Sequence, residues 1–487
     1  MKQQAFNPYL PSYEYVPDGE PHIFDGRLYV FGSHDAFNGK GFCINDYVCW
    51  SASPDSLGEW KYEGVIYRRL QDPLNQKGRA FMNAPDVVRG ADGRYYLYYQ
   101  LHIECVTSVA VAEKPAGPYD FYGHVRHADG VLYGKKKGDA YNFDPGLLMD
   151  DDGSVYMYTG FSPTYKPMRF VMGIRGGTFE GGSVVKLQPD MLTIDGNEMS
   201  TVPGEMEAAG TGFEGHGFFE ASSIRKINGI YYLVYSSALS HELCYAVSDT
   251  PVGPWKYGGT LISIGDIGLS GVTAENARNF TGNTHGGMVC VKGQWYIFYH
   301  RQTNRQKCAR QGCAEPIRIE EDGSIRQAEM TSCGLNGGPL SGTGTYEARI
   351  ACNLRGAKGT FAYVRLHHKE KDYPYFTQSG TDREQDGDQY IANMQDGAMA
   401  GFKYFLFAGE NRITVSIRGK CSGKLIVYTE NADMPAAEIT VSCSEDWKSY
   451  TSGMTPLTGK QPLYFVFRGS GSLDFNSFTM EKYPKAL

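Results

Sequence analysis

No stretch of this chain approaches ~18 uninterrupted apolar residues, so nothing in it reads as a membrane-spanning helix. The first residues, MKQQAFNPYLPSYEY, contain no apolar export core, and a cytoplasmic location is the expectation that follows. Basic clusters are equally scarce. The densest is Lys135-Lys136-Lys137, and with a formal net charge of -7 the chain lacks the Lys and Arg footprint needed to bind nucleic-acid phosphates. None of the eleven cysteines forms a C-x-x-C pair, and Cys308 and Cys313 have no second pair or histidine at zinc spacing. All eleven are therefore expected as small buried hydrophobes. GxSxG, HExxH and phosphate-loop motifs are absent. One GxGxxG match, Gly210 to Gly215, has no strand before it and no helix after it, which excludes dinucleotide binding.

What the chain has instead is glycine (60) and tyrosine (35), a composition that favours short aromatic strands and turns. Five times a polar residue heads a short strand, followed by a second strand that opens on glycine. The heads are Asp18, Asp86, Asp144, Glu220 and His285, and the second strands include GRLYVFGS, GRYYLYYQ and GIYYLVYSS. From each head to the residue after the strand-opening glycine is 9, 8, 10, 10 and 9 positions. A third strand (CINDYVCWSASP, VTSVAVAEKP, LCYAVSDTP) and an aromatic fourth complete the unit in several repeats. Such a unit cannot bury its apolar face alone, so five of them predict a radial array, a five-bladed β-propeller.

At 487 residues the chain exceeds one ordinary core. The repeat ends near residue 330, and the Gly- and Ser-rich stretch 331–344 reads as a linker. Residues 345–487 contain short alternating strands without the Tyr-rich repeat, which predicts a β-sandwich. The expected fold class is all-β throughout.

In a propeller, the innermost strand of each blade lines the central channel, so equivalent strand heads converge at one mouth. Carboxylates held close together cannot all ionise independently, and their pKa values are driven apart into acid and base roles. Hydrolysis of a glycosidic bond needs that division of labour. Glu220, between Phe218-Phe219 and Ala221, has the apolar setting that keeps a carboxyl protonated. The competing reading is turn chemistry: Asp beside Pro or Gly is an ordinary turn former, most plainly at Asp86.

The ordered set formed by the Asp18 motif, FDPGLLMDDDG, GHGFFEASSIRK and THGG resembles glycoside hydrolase family 43, over roughly residues 5 to 330. The resemblance implies an inverting enzyme with Asp18 as general base, Asp144 as the acid that orients and tunes the general acid, and Glu220 as that general acid. It further implies that Arg310 contacts sugar hydroxyls; Asp86, His285 and Phe37 are further candidate substrate-binding residues, with Asp86 read alternatively as a structural acid that supports the site. No cofactor is required, although His285 matches a position that faces a hydrated calcium in many members. Two departures stand out: Asn83-Ala84-Pro85 replaces a common Trp-Ala-Pro, and Gly19-Glu20-Pro21 follows Asp18, making Glu20 a rival base. Residues 345–487 resemble family 6 carbohydrate-binding modules through YEARI, DWKSY and SLDFNSFTM. Met and Ala occupy the stretch NMQDGAMAGFKYF where stacking aromatics are usual, so a docking or stabilising role is expected. The implied activity is exo-acting release of terminal α-L-arabinofuranose from plant oligosaccharides, the only expected partners. The alternatives are an intracellular β-xylosidase and, in a different class, a non-catalytic glycan-binding propeller.

Overall fold

The computed structural model describes residues 3–102, 104–173, 177–360, 372–383, 388–431 and 433–483. Five small antiparallel sheets follow one another in chain order. The first blade is β1 (Glu20–Phe24), β2 (Arg27–Phe31), β3 (Tyr47–Ser53) and β4 (Ser56–Tyr67). The second is β5 (Asp86–Arg89), β6 (Tyr95–Gln100), β7 (Thr107–Ala112) and β8 (Asp120–His124). The third comprises β9 (Gly146–Met149), β10 (Val155–Gly160), β11 (Gly181–Leu187) and β12 (Met199–Pro203), with helix α1 (Lys166–Gly173) inserted before β11. The fourth is β13 (Phe218–Ile227), β14 (Ile230–Ser237), β15 (Glu242–Ser248) and β16 (Lys256–Ser263). The fifth has three strands, β17 (Met288–Val291), β18 (Gln294–Gln302) and β19 (Arg310–Ile317).

The missing fourth strand explains the work of the N-terminal segment. Asn7 clamps the backbone of Ala314 through both its amide nitrogen and its oxygen, each at 2.9 Å, and Tyr9 N–H donates to Gly312 at 3.3 Å. The segment thereby satisfies the open edge of β19. Ring closure also uses a parallel bridge between Gly19 and Gly286. A Cβ on Gly286 would lie 2.0 Å from the Phe298 carbonyl oxygen, so only glycine fits there. Between blades, strands such as β6 (YYLYYQ) are buried along their whole length, which accounts for the missing polar alternation in the Tyr-rich repeats.

Residues 340 onward form one curled eight-stranded sheet, with β20 (Leu340–Ser341), β25 (Met399–Tyr428), β27 (Lys448–Glu481), β24 (Tyr390–Gln395) and β23 (Tyr375–Thr377) in order. Strand β21 (Gly344–Glu347) adds to β27, and β22 (Asn353–Arg355) and β26 (Ala437–Ser442) add to β25. Several short strands expected from the sequence are merged into two long ribbons. These fold back so that Ile413 pairs with both Met480 and Ser452, and alternate residues such as Val415, Ile417, Phe465 and Phe475 fill the core.

The stretch 331–344 is packed rather than extended: Ser332, Cys333, Leu335 and Leu340 are buried. The cysteine expectation needs correction. Cys421 on β25 and Cys443, just past the end of β26, form a disulfide, while nine cysteines remain free. No helix among the described residues is long and apolar enough to cross a membrane.

Candidate active site

Four of the five strand heads line one cavity of about 410 Å3: Asp18, Asp144, Glu220 and His285. That volume lies within the usual range for small-ligand sites. Phe42, Phe81, Tyr141, Phe143, Phe161 and Phe219 contribute apolar wall. The backbone aims the acids. Asp18 and Asp144 adopt left-handed conformations with φ of 56° and 49°, a region that Asp tolerates better than most residues. Glu220 lies in a bulge of β13, where the register slips on both sides of it and Ala221 has φ of 72°. A bulge of this kind re-aims a side chain out of the ladder. At these heads the turn-forming and site-forming readings coincide.

The electrostatics separate the acids. Arg310 Nη1 donates to Asp18 Oδ1 at 2.8 Å, while its Nε and Nη2 hold the two oxygens of Asp35 at 2.8 and 3.1 Å. Burial pushes the Asp18 carboxyl up, but Arg310 and His300 outweigh it and hold its pKa well below the usual carboxylate range. His285 Nδ1 lies 3.5 Å from Asp144 Oδ2 and 4.0 Å from Asp18 Oδ1. Burial opposes charge on this imidazole, yet the bond to Asp144 raises its pKa to about 9. Asp144 is itself raised by burial, partly offset by His285. Among the described residues, Glu220 is the cavity acid with no cation at ion-pair distance. Burial in this cavity, whose wall includes Phe161 and Phe219, and repulsion from Asp144 push it up to about 8.

Three expected residues stand elsewhere. Asp86 is 1% exposed and does not line the cavity; its oxygens accept from the N–H groups of Val87 and Leu147 at 2.6 and 2.7 Å and meet His22 Nε2 at 2.6 Å. It ties three blades together and has no face for a sugar. Phe37 is buried against Tyr15, with ring centroids 6.0 Å apart, and Phe42 takes the wall position instead. Glu20, the rival base, is bound to Ser223 Oγ and Arg225 Nη2 at 2.8 and 2.6 Å, away from the cavity lining. Arg310 does line the cavity, although two acids already engage its guanidinium. Asn83 and Ala84 line it as well, giving small walls at the variant position. Sequence reasoning missed Asp35, whose SHDAF context looks like any polar loop after a strand.

The residues present do not form a protein cage for calcium at His285. Three convergent donors occur, among the described residues, at Glu20, His22 and Asp86 and at His216, Glu242 and Cys244; neither group includes His285.

A family model described as glycosyl hydrolases family 43 matches residues 21–325. A xylosidase/arabinosidase of Thermoclostridium stercorarium is 48% identical over 99% of this chain and 99% of its own length. An arabinoxylan arabinofuranohydrolase of Paenibacillus polymyxa is 26% identical over 92% of this chain and 70% of its own. Among solved structures, a family 43 β-xylosidase/α-arabinofuranosidase from a compost microbial metagenome, in complex with xylotriose, superposes with a TM-score of 0.52 at 26% identity, covering 67% of this chain and 98% of that one. With a five-bladed propeller, a cavity of buried acids and these similarities, the chain belongs to glycosyl hydrolase family 43, as a glycoside hydrolase of the xylosidase/arabinosidase type.

Proposed function

We propose that this enzyme is an inverting, exo-acting α-L-arabinofuranosidase that acts on arabinose-containing plant oligosaccharides, with Glu220 as general acid, Asp18 as general base and Asp144 as the group that tunes Glu220. The observation that carries the assignment is the unequal sharing of two cations among four acids. Arg310 serves Asp18 and Asp35, His285 serves Asp144, and Glu220, in no ion pair among the described residues, has its pKa raised to about 8. The protonated Glu220 carboxyl donates to the glycosidic oxygen as the bond to the anomeric carbon breaks. The Asp18 carboxylate takes a proton from a water that attacks that carbon on the opposite face. The Asp144 charge beside Glu220 raises its pKa and so favours reprotonation after each turnover, while His285 limits that effect. Arabinofuranose is favoured as the released sugar because the Paenibacillus polymyxa relative, which also aligns across the C-terminal unit, is an arabinofuranohydrolase.

Following the anomeric proton by NMR during hydrolysis of 4-nitrophenyl α-L-arabinofuranoside, alongside the β-D-xyloside, tests this reading. The first-formed arabinose should be the β-anomer, and the arabinoside should be the better substrate. Initial release of the α-anomer would refute inversion, and a strong preference for the xyloside would transfer the assignment to a β-xylosidase.

A further inference from the structure

The loop 35–45, between β2 and β3, carries three features of the site: Asp35, which grips Arg310; Cys43, whose N–H donates to Asp35 Oδ1 at 2.9 Å; and Phe42, which lines the cavity with the Arg310 guanidinium 4.8 Å over its ring. The propeller does not hold the outer side of this loop alone. Asp382, from the C-terminal unit, accepts the Phe37 N–H on Oδ1 at 2.7 Å and the Asn45 amide on Oδ2 at 3.2 Å. The Asn45 amide also donates to the Asp35 carbonyl at 2.9 Å. Next to Asp382, Arg383 Nη1 reaches the buried Glu14 carboxylate at 2.8 and 3.0 Å, and Glu14 meets His34, the neighbour of Asp35, at 3.0 Å. A continuous chain of polar contacts therefore runs from the C-terminal unit to the Asp18 carboxyl.

We infer that Asp382 is a positioning residue for hydrolysis: by clamping the 35–45 loop it fixes Asp35, and through Asp35 the Arg310 guanidinium that sets the geometry and charge of Asp18. The inference rests on the reading of Asp18 as the base. Under it the C-terminal unit completes the active site from outside instead of binding glycan at a distance. The other charged or titratable groups that face Asp18, among the described residues, are His300 on β18, His285 ahead of β17, Asp144 ahead of β9, Glu220 on β13, Tyr47 on β3 and Cys43 on the loop itself. None of them contacts Asp382, so a change there reaches Asp18 by way of Arg310. The interface elsewhere is a different kind of contact: buried Lys403 Nζ pairs with Asp266 and Glu329 at 2.9 and 2.8 Å, with no residue of the 35–45 loop among those partners.

The test is the pH profile of kcat/KM for Asp382→Ala, Asn45→Ala and Lys403→Met in the full chain, with melting temperatures measured in parallel. Loss of the clamp lets Arg310 drift from Asp18. The expected result for the first two variants is a kcat lower by on the order of tenfold with KM little changed, and an acidic limb moved to higher pH. Lys403→Met should lower the melting temperature without moving that limb. Asp382→Asn, which keeps an acceptor for Phe37 N–H, should restore part of the rate, and it substitutes for the alanine variant if that fails to fold. A folded Asp382→Ala or Asp382→Asn protein with wild-type kcat and acidic limb would overturn the inference. Asp18→Asn separates the two levels. If it stays active, the base assignment fails; if it is inactive while the Asp382 and Asn45 variants match wild type, only the clamp fails.

Discussion

Arg310 Nη1 sits 2.8 Å from Asp18 Oδ1, and both groups are almost completely buried. An ion pair of this kind favours the ionised form of Asp18, as its proposed role as base requires. Replacing Arg310 with Met leaves Asp18 subject to burial, which raises its pKa. The base is then protonated at low pH, so the acidic limb of kcat/KM should move upward and activity at pH 5 should fall more than at pH 7. Because the change also leaves two acids without their cation, it should destabilise the fold by about 3–5 kcal/mol, readable by urea denaturation. An unchanged acidic limb would show that Asp18 does not titrate in the catalytic cycle.

Glu220 should set the opposite limb. With its pKa pushed up to about 8, the protonated acid persists at neutral pH and is lost above it, so kcat/KM should decline as pH rises through about 8. The same shift has a consequence for stability. The folded pKa exceeds the unfolded one, so the contribution of Glu220 is fully present below about 4.5 and is lost as pH rises through about 8. Glu220→Gln removes that loss. Its melting temperature should gain on wild type steadily between those limits, and a constant difference across the range would contradict the raised pKa.

Asp86 provides the contrast. Its three contacts tie the backbone of β5 and β9 to His22 on β1, with no exposure to the cavity. Asp86→Ala leaves two buried N–H donors without partners and should cost about 2–3 kcal/mol or more of stability. The folded fraction should retain wild-type kcat/KM. Circular dichroism to give the folded fraction, combined with calorimetry, distinguishes this from a catalytic loss.

The repeat was legible because a strand head, a glycine turn and an aromatic strand recur at nearly constant spacing, and that local chemistry survives into the blades. Three strand heads named for catalysis, with His285, do share a cavity. The fifth, Asp86, looks the same in sequence but is consumed by backbone donors from a neighbouring blade, a contact that no local pattern encodes. Phe37 and Phe42 illustrate the same limit, since five residues of loop decide which ring faces the sugar and which packs on Tyr15. Asp35 was invisible because its partner, Arg310, lies 275 positions away. The long ribbons of the C-terminal sheet were read as separate strands because glycines such as Gly419 and Gly423 resemble turns, whereas here their positive φ values let the ribbon bend without breaking its pairing.

The division of roles between Glu220 and Asp18 is tested most directly by assaying Glu220→Gln on two substrates with different leaving groups. On an arabino-oligosaccharide, whose departing sugar needs a proton, kcat/KM should fall by ~10²–10⁴-fold; on 4-nitrophenyl α-L-arabinofuranoside, whose leaving group departs more readily unprotonated, the loss should be much smaller. Equal losses on the two substrates, or none, would contradict Glu220 as the general acid.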